Sequence, residues 1–333
     1  MINKFNLRYL ILPILAGISI VSCKKDANVE NQEEKLLTNA VSIENGYLKF
    51  RDQKAFDSIG TIVSNYSPKQ LDEWENSFKG FTSYRNLYNK IQEEYATVDD
   101  SEAFKLFQKK YSEMITIRPD SSITFKLGTP YSAIFMNTKG EFKVGDQFRK
   151  YTKENSLMLY KGTQKNESEL KSTSNVTVVP IKRMLMATKN THSLAPPPGQ
   201  TFNNGMLSQK LFYNGDNKRR VYIELWYEYT SPPNLVSYGS FRMYFVVLQE
   251  LKKTFGGWRS NETDYYSNGY NLRFTTTYYN SPEVGFAGSF QAFQGVTGPV
   301  LYNLPSFYGE CTSVTGTARF TTGGVPDAPT IYY

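Results

Sequence analysis

The sequence predicts an α+β protein: short N-terminal helices, then antiparallel β structure, then a C-terminal β-sandwich or incomplete barrel. Three observations predict it. Apolar residues recur three and four apart between residues 50 and 117, the period of one helix face. Near residue 120 the pattern changes to alternation, the period of a half-buried strand. From 201 to 333, aromatic and β-branched runs are punctuated by Gly, Pro, Asn and Ser, as in sandwiches and barrels.

The elements follow in order. Asp52 is placed to cap a first helix carrying Phe56, Ile59 and Val63 on one face. Ser67-Pro68-Lys69-Gln70 combines an N-cap serine, a first-turn proline and a capping-box glutamine. Leu71, Trp74, Phe78 and Phe81 follow at helical spacing, and Gly80 is expected to bend or end that helix. A continuation carries Tyr84, Leu87, Tyr88, Ile91 and Tyr95, and Asp99 with Glu102 is a box-like start before Phe104, Phe107, Tyr111 and Met114. Ser122 to Leu127, Ala133 to Met136, Glu141 to Val144 and Ser156 to Tyr160 read as short antiparallel strands, with a hairpin-type turn at Asn137-Thr-Lys-Gly140. Val221 to Tyr229 is the clearest strand of the second half; Phe241 to Leu248, Tyr270 to Tyr279, Gly285 to Phe293 and Val314 to Thr321 follow it.

The 333 residues allow about two domains. With 40% hydrophobic and 21% charged residues the composition is globular rather than disordered or coiled-coil. Mean hydropathy of -0.48 and a single long apolar run exclude a polytopic membrane protein. One His and two Cys exclude a disulfide scaffold and most metal sites built from those residues, so no metal or other cofactor is expected. The formal charge of +7 is spread without a basic stripe, which argues against nucleic acid as a partner.

Residues 1–22 have the layout of an export signal: Lys4 and Arg8, then an apolar run from Tyr9 to Val21, then Ser22-Cys23. Ile20-Val21-Ser22-Cys23 resembles the lipobox of bacterial lipoproteins, with Ile in place of the more usual Leu. The resemblance implies that Cys23 becomes the mature N-terminus and carries a thioether-linked diacylglycerol and an N-acyl chain of the palmitate type. Each buried methylene contributes about 0.8 kcal/mol, so several chains hold a folded domain at a membrane. Lys24, not Asp, follows the cysteine, which in Gram-negative lipoproteins points to the outer membrane; Lys24-Lys25-Asp26 with Glu30, Glu33 and Glu34 resembles the charged tether of surface-exposed Bacteroidota lipoproteins. Asn137 to Thr152 is similar to a stretch of an uncharacterised Bacteroidota lipoprotein family, an Asn-x-x-Gly-Glu turn followed by Gly-Asp and an aromatic-rich strand. Removing Lys4 and Arg8 leaves 36 basic residues against 31 acidic ones, and Cys311 as the lone thiol, expected to be buried and structural.

The expected organisation is a signal peptide at 1–22, a flexible tether at 23–40, a helical region followed by a small β region at 41–175, and a β-rich domain at 176–333. Ala195-Pro-Pro-Pro-Gly199 is either an inter-domain boundary or a loop inside one β domain.

Catalytic motifs are sparse. His192 reads as an exposed loop histidine, and no nucleophile elbow, P-loop or dinucleotide fingerprint is present. Gly256-Gly257-Trp258 and Asn214-Gly215-Asp216-Asn217 read as turns, and Asp264, Glu283 and Glu310 fall in loops without a pairing. Glu224 and Glu228 lie on one side of a strand about 13 Å apart, too far for a retaining glycosidase pair. They read as its solvent face. Sixteen aromatic residues lie between 221 and 280, with adjacent pairs at Tyr265-Tyr266 and Tyr278-Tyr279. This predicts an aromatic β surface that binds a glycan or an envelope protein without catalysis, with Trp226, Trp258, Tyr265, Tyr266 and Tyr279 as contacts. The alternatives are a carboxylate-dependent polysaccharide hydrolase and a structural subunit of an envelope complex.

Overall fold

The computed structural model describes residues 40–153, 156–161, 176–181, 204–230, 240–254, 256–277, 284–323 and 330–332. Cys23, the signal, nearly all of the tether, His192, the triple proline, Tyr278, Tyr279 and Glu283 lie outside the described residues.

The chain opens with a hairpin, β1 (Val41–Glu44) and β2 (Tyr47–Phe50), joined through Asn45 and Gly46 at φ 52° and 81°. Positive φ at both turn residues is what an Asn-Gly pair supplies. Four helices follow: α1 (Gln53–Val63), α2 (Pro68–Asn76), α3 (Tyr84–Thr97) and α4 (Ser101–Tyr111). Their starts are built as the sequence predicts. Asp52 accepts from the Ala55 amide at 2.7 Å, and Ser67 and Gln70 form a reciprocal capping box. Two boundaries differ. α2 stops at Asn76, before Phe78 and Gly80, and Ser83 caps a separate α3. α4 is capped by Asp100, not Asp99, because the Asp100 carboxylate takes the amides of Glu102 and Ala103 at 2.8 and 2.7 Å. Arg85 of α3 locks onto Glu75 of α2 at 2.6 Å, and Ser83 donates to the same carboxylate.

After the helices come β3 (Ile115–Ile117) and β4 (Ile123–Phe125), a short pair, then a 3-10 turn at Ser132–Ile134 where a strand is expected. Ala133, Ile134, Phe135 and Met136 are all fully buried, so this run carries no alternation; it packs as a buried plug. The Asn137 to Gly140 turn leads into β5 (Glu141–Val144), and β6 (Gln147–Tyr151), β7 (Ser156–Lys161) and β8 (Val176–Pro180) extend the sheet. Its order is β1-β2-β5-β6-β7-β8. The β2–β5 pair is parallel, because the helices form the crossover between them. β8 is the last strand of this sheet.

The second half is built from β9 (Gly205–Tyr213), β10 (Arg219–Thr230), β11 (Ser240–Lys252), β12 (Trp258–Ser260), β13 (Thr263–Thr276), β14 (Val284–Gly288), β15 (Phe293–Val296), β16 (Val300–Asn303), β17 (Phe307–Tyr308), β18 (Cys311–Thr322) and β19 (Thr330–Tyr332). β12-β11-β10-β9 form one sheet, with β16 and β17 also on β11; β14-β13-β18-β19 form another, with β15 on β13. The expected α+β class holds, and neither sheet closes into a barrel. The two sheets share a core made of Val221, Ile223, Leu225 and Tyr227 of β10, Phe241, Met243, Phe245 and Val247 of β11, and Leu272, Phe274, Val314 and Phe320 opposite. Cys311 sits there, and burial pushes its thiol up to about 12. The Asn214 to Asn217 segment is the β9–β10 turn, and Gly256-Gly257 turn the chain from β11 to β12.

The other face of β10 and β11 is covered as well. Trp226, Tyr244 and Val246 belong to one core with Tyr84, Tyr88, Tyr131 and Phe135 of the first half. The central sheet is therefore sandwiched between the helical region and the second sheet. Among the described residues no helix is long and apolar enough to cross a membrane.

Candidate functional site

This covered face overturns the expected aromatic surface. Trp226 is 3% exposed, stacks on Tyr244 at 6.3 Å and donates its indole N–H to Glu224 at 2.9 Å. Trp258 is buried under the Arg220 guanidinium, 4.1 Å from the ring centroid. Tyr265 is fully buried, with its hydroxyl donating to the Gly298 carbonyl. Of the five expected contacts, only Tyr266 is surface-exposed, at 36%, and Tyr279 lies outside the described residues.

Glu224 and Glu228 are not a solvent face either. Glu224 pairs with Arg118 at 2.8 Å and accepts from Gln209 and Trp226 as well. Beside it, Arg220 holds Glu250 at 2.6 Å and Asp120 at 2.7 Å, and Tyr222 donates to Asp120. Burial opposes ionisation of Asp120, but the Ser122 hydroxyl and amide together with Arg220 hold it well below the usual carboxylate range. This buried network pins the 118–122 loop to the central sheet. Asp264 lies in β13, not a loop, and accepts from the Gly295 amide.

A cavity of about 330 Å³ lies between the layers. That is the lower end of the roughly 300–1,000 Å³ typical of small-molecule sites. α1 lends Phe56, Asp57 and the exposed rim residue Thr61; the buried turn lends Thr129 and Tyr131; β5 and β6 lend Phe142, Arg149 and Tyr151; β10 and β11 lend Glu228, Tyr229, Phe241 and Arg242. It lies where α1, β5 and β6 meet the Glu228–Arg242 end of the β10–β11 pair.

The walls are half aromatic and half polar. Phe142 stacks with Phe56 at 5.6 Å and with Tyr151 at 6.3 Å. Gln53 of α1 organises the polar side: its amide donates to Asp57 at 2.8 Å, one helical turn on, and accepts from Arg149 at 2.6 Å. Burial pushes the Asp57 carboxyl up, against the Gln53 hydrogen bond and the charges of Arg242 and Arg149. Burial also pushes Glu228 up, against hydrogen bonds from Thr129 and Tyr244 and the charge of Arg242. Tyr131 is buried with its hydroxyl beside the Arg242 guanidinium, and it packs so close to α1 that any side chain at Gly60 would collide with it. That explains a glycine in mid-helix, where it otherwise costs about 1 kcal/mol.

Asp57, Tyr131, Arg149 and Arg242 were not legible as a site. Each sits alone in its segment, and the fold brings them together across nearly two hundred residues. Among the described residues, no group of three or more His, Cys, Asp or Glu is arranged to hold a metal ion.

No family model matches the chain, and no curated protein matches it. Among solved structures it is similar to a DUF4848 family protein from Bacteroides thetaiotaomicron VPI-5482, at 18% identity and a TM-score of 0.31, over 88% of this chain and 100% of that one. A Northeast Structural Genomics Consortium target matches 35% of this chain and 81% of its own, at 12% identity and a TM-score of 0.20. Neither superposition is close enough to carry an activity or a residue role across.

Proposed function

We propose that the protein is a lipid-anchored outer-membrane binding protein that takes the end of a glycan into this cavity and does not turn it over. The carrying observation is the wall chemistry: Phe56, Phe142 and Tyr151 line the cavity together with Asp57, Glu228 and Thr129. Sugars present C–H faces to aromatic rings and hydroxyl edges to carboxylates and hydroxyls, so such a wall complements them. The anchor rests on the lipobox-like Ile20-Val21-Ser22-Cys23, and mass spectrometry of the native N-terminus should find Cys23 acylated.

The binding test is a glycan screen of the mature lipoprotein in detergent. Thr61→Trp places bulk at the exposed rim, away from the core, and is expected to abolish binding at least tenfold. Tyr266→Ala is expected to leave binding unchanged. Loss of binding in Tyr266→Ala with retention in Thr61→Trp would return the site to the outer β surface.

A second reading is favoured by one observation: Asp57 and Glu228 line the same cavity and burial pushes both up, as in a general-acid carboxyl. That reading is a carboxylate-dependent hydrolase. It predicts release of reducing ends, lost in Glu228→Gln while binding persists. The binding reading predicts no release from either protein.

A further inference from the structure

We infer that the cavity takes an acidic sugar, whose carboxylate is held by the guanidiniums of Arg149 and Arg242. This rests on the glycan-binding reading above and names the class of glycan.

The argument comes from a comparison of the buried arginines. Among the described residues four are buried: Arg85, Arg118, Arg149 and Arg220. Arg85 pairs with Glu75 and Asp72, Arg118 with Glu224, and Arg220 with Asp120 and Glu250. Arg149 pairs with no carboxylate. It is 6% exposed, and its only hydrogen-bond acceptors are the neutral amides of Gln147, at 3.0 Å from Nε, and Gln53, at 2.6 Å from Nη2. Its guanidinium lies over the Phe56 and Phe142 rings, 5.2 and 5.7 Å from their centroids. A buried charge without a directly bonded carboxylate is expensive; Asp57 acts on Arg149 only through its field, so the guanidinium keeps capacity for an anion in direct contact.

Arg242 repeats the pattern from the opposite wall. The strand register sets it directly across from Glu228, where a cross-strand ion pair would be the ordinary outcome. Glu228 instead accepts from Thr129 and Tyr244, while Arg242 lies over the Tyr131 ring, 4.1 Å from its centroid, and forms no ion pair among the described residues. The Tyr131 hydroxyl, beside the Arg242 guanidinium, adds a polar group on the same side. Two planar guanidiniums and a hydroxyl suit a carboxylate, and the aromatic walls suit the ring that bears it.

The titratable and charged groups facing the pair are Asp57 from α1, Tyr131 from the buried turn, Tyr151 beside Arg149 on β6, and Glu228 and Tyr229 from β10. Tyr131 and Tyr151 are pushed up by burial and stay neutral. With both acids ionised the cavity is neutral. As pH falls through their raised values, the two guanidiniums are left uncompensated. An anion that stays ionised should bind more tightly in weakly acidic solution than at neutral pH.

The test is calorimetric titration of the mature lipoprotein with three probes: glucuronate, glucose and inorganic sulfate. Glucuronate is expected to bind at least tenfold more tightly than glucose or sulfate. Arg149→Met is expected to weaken it by about ten- to a hundredfold, the usual worth of hydrogen bonds to charged groups. Its melting temperature should hold or rise, because an unpaired buried charge is removed; a merely structural arginine would lower it. Should Arg149→Met melt early, Arg242→Met, at a half-buried position, carries the same binding test. Glucose binding as tightly as glucuronate, or glucuronate binding unchanged by Arg149→Met, overturns the acidic-sugar inference; glucose binding that Thr61→Trp abolishes would leave the glycan reading standing. Sulfate binding as tightly as glucuronate overturns the sugar assignment, and no binding of any probe at millimolar concentration overturns both readings.

Discussion

Glu224→Ala is expected to lower folding stability by about 3–5 kcal/mol, the cost of breaking a buried pair from one side. The carboxylate answers three groups at once: the Arg118 guanidinium, the Gln209 amide and the Trp226 indole N–H. Removing it leaves Arg118 charged and buried against the Tyr222 ring, 4.7 Å from the centroid, without its hydrogen-bonded carboxylate. The measurement is denaturant unfolding of wild type and variant. The double variant Arg118→Met/Glu224→Leu should recover most of the loss, because an apolar pair of similar volume replaces the ions. A change below about 0.5 kcal/mol in Glu224→Ala, the usual range for exposed sites, would restore the solvent-face reading of β10.

Trp226→Ala is expected to cost about 3–5 kcal/mol as well, by leaving a cavity in a core that cannot collapse around it. The indole is stacked on Tyr244 and sits where the central sheet meets the helical region. The same substitution at a surface binding residue would leave stability nearly untouched and cost only affinity. Tyr266→Ala supplies the comparison, since an exposed tyrosine on β13 should change stability by no more than about 0.5 kcal/mol.

These two expectations also mark where the sequence stops being informative. The helices were legible because their starts are local: Asp52, Ser67 and Pro68 act within three or four residues of themselves. The Asn45-Gly46 hairpin carries an equally local signal, positive φ at both turn residues. β10 was legible as a strand but not in its surroundings. Tyr222, Glu224, Trp226 and Glu228 alternate with apolar residues, the pattern of a sheet with one wet face. What makes that face dry lies far along the chain: Arg118 is 106 residues from Glu224, and Thr129 is 99 from Glu228. A buried acid and an exposed one look alike until the partner is placed.

The candidate cavity was hidden for the same reason. In Gln147-Phe-Arg-Lys-Tyr151 the arginine reads as the polar side of a strand, yet the fold turns that side inward onto α1. Gly60 was the one local sign. A glycine in the middle of an amphipathic helix announces a close approach, and Tyr131 makes it. The aromatic richness between 221 and 280 was real but pointed inward, because the central sheet has two covered faces and needs two sets of large side chains.

The most direct measurement is a crystal structure of the mature protein grown with glucuronate. The account predicts one sugar between the layers, its carboxylate within hydrogen-bonding distance of Arg149 and Arg242. Sugar density on the outer β surface beside Tyr266, with the interlayer cavity occupied by water alone, would contradict it.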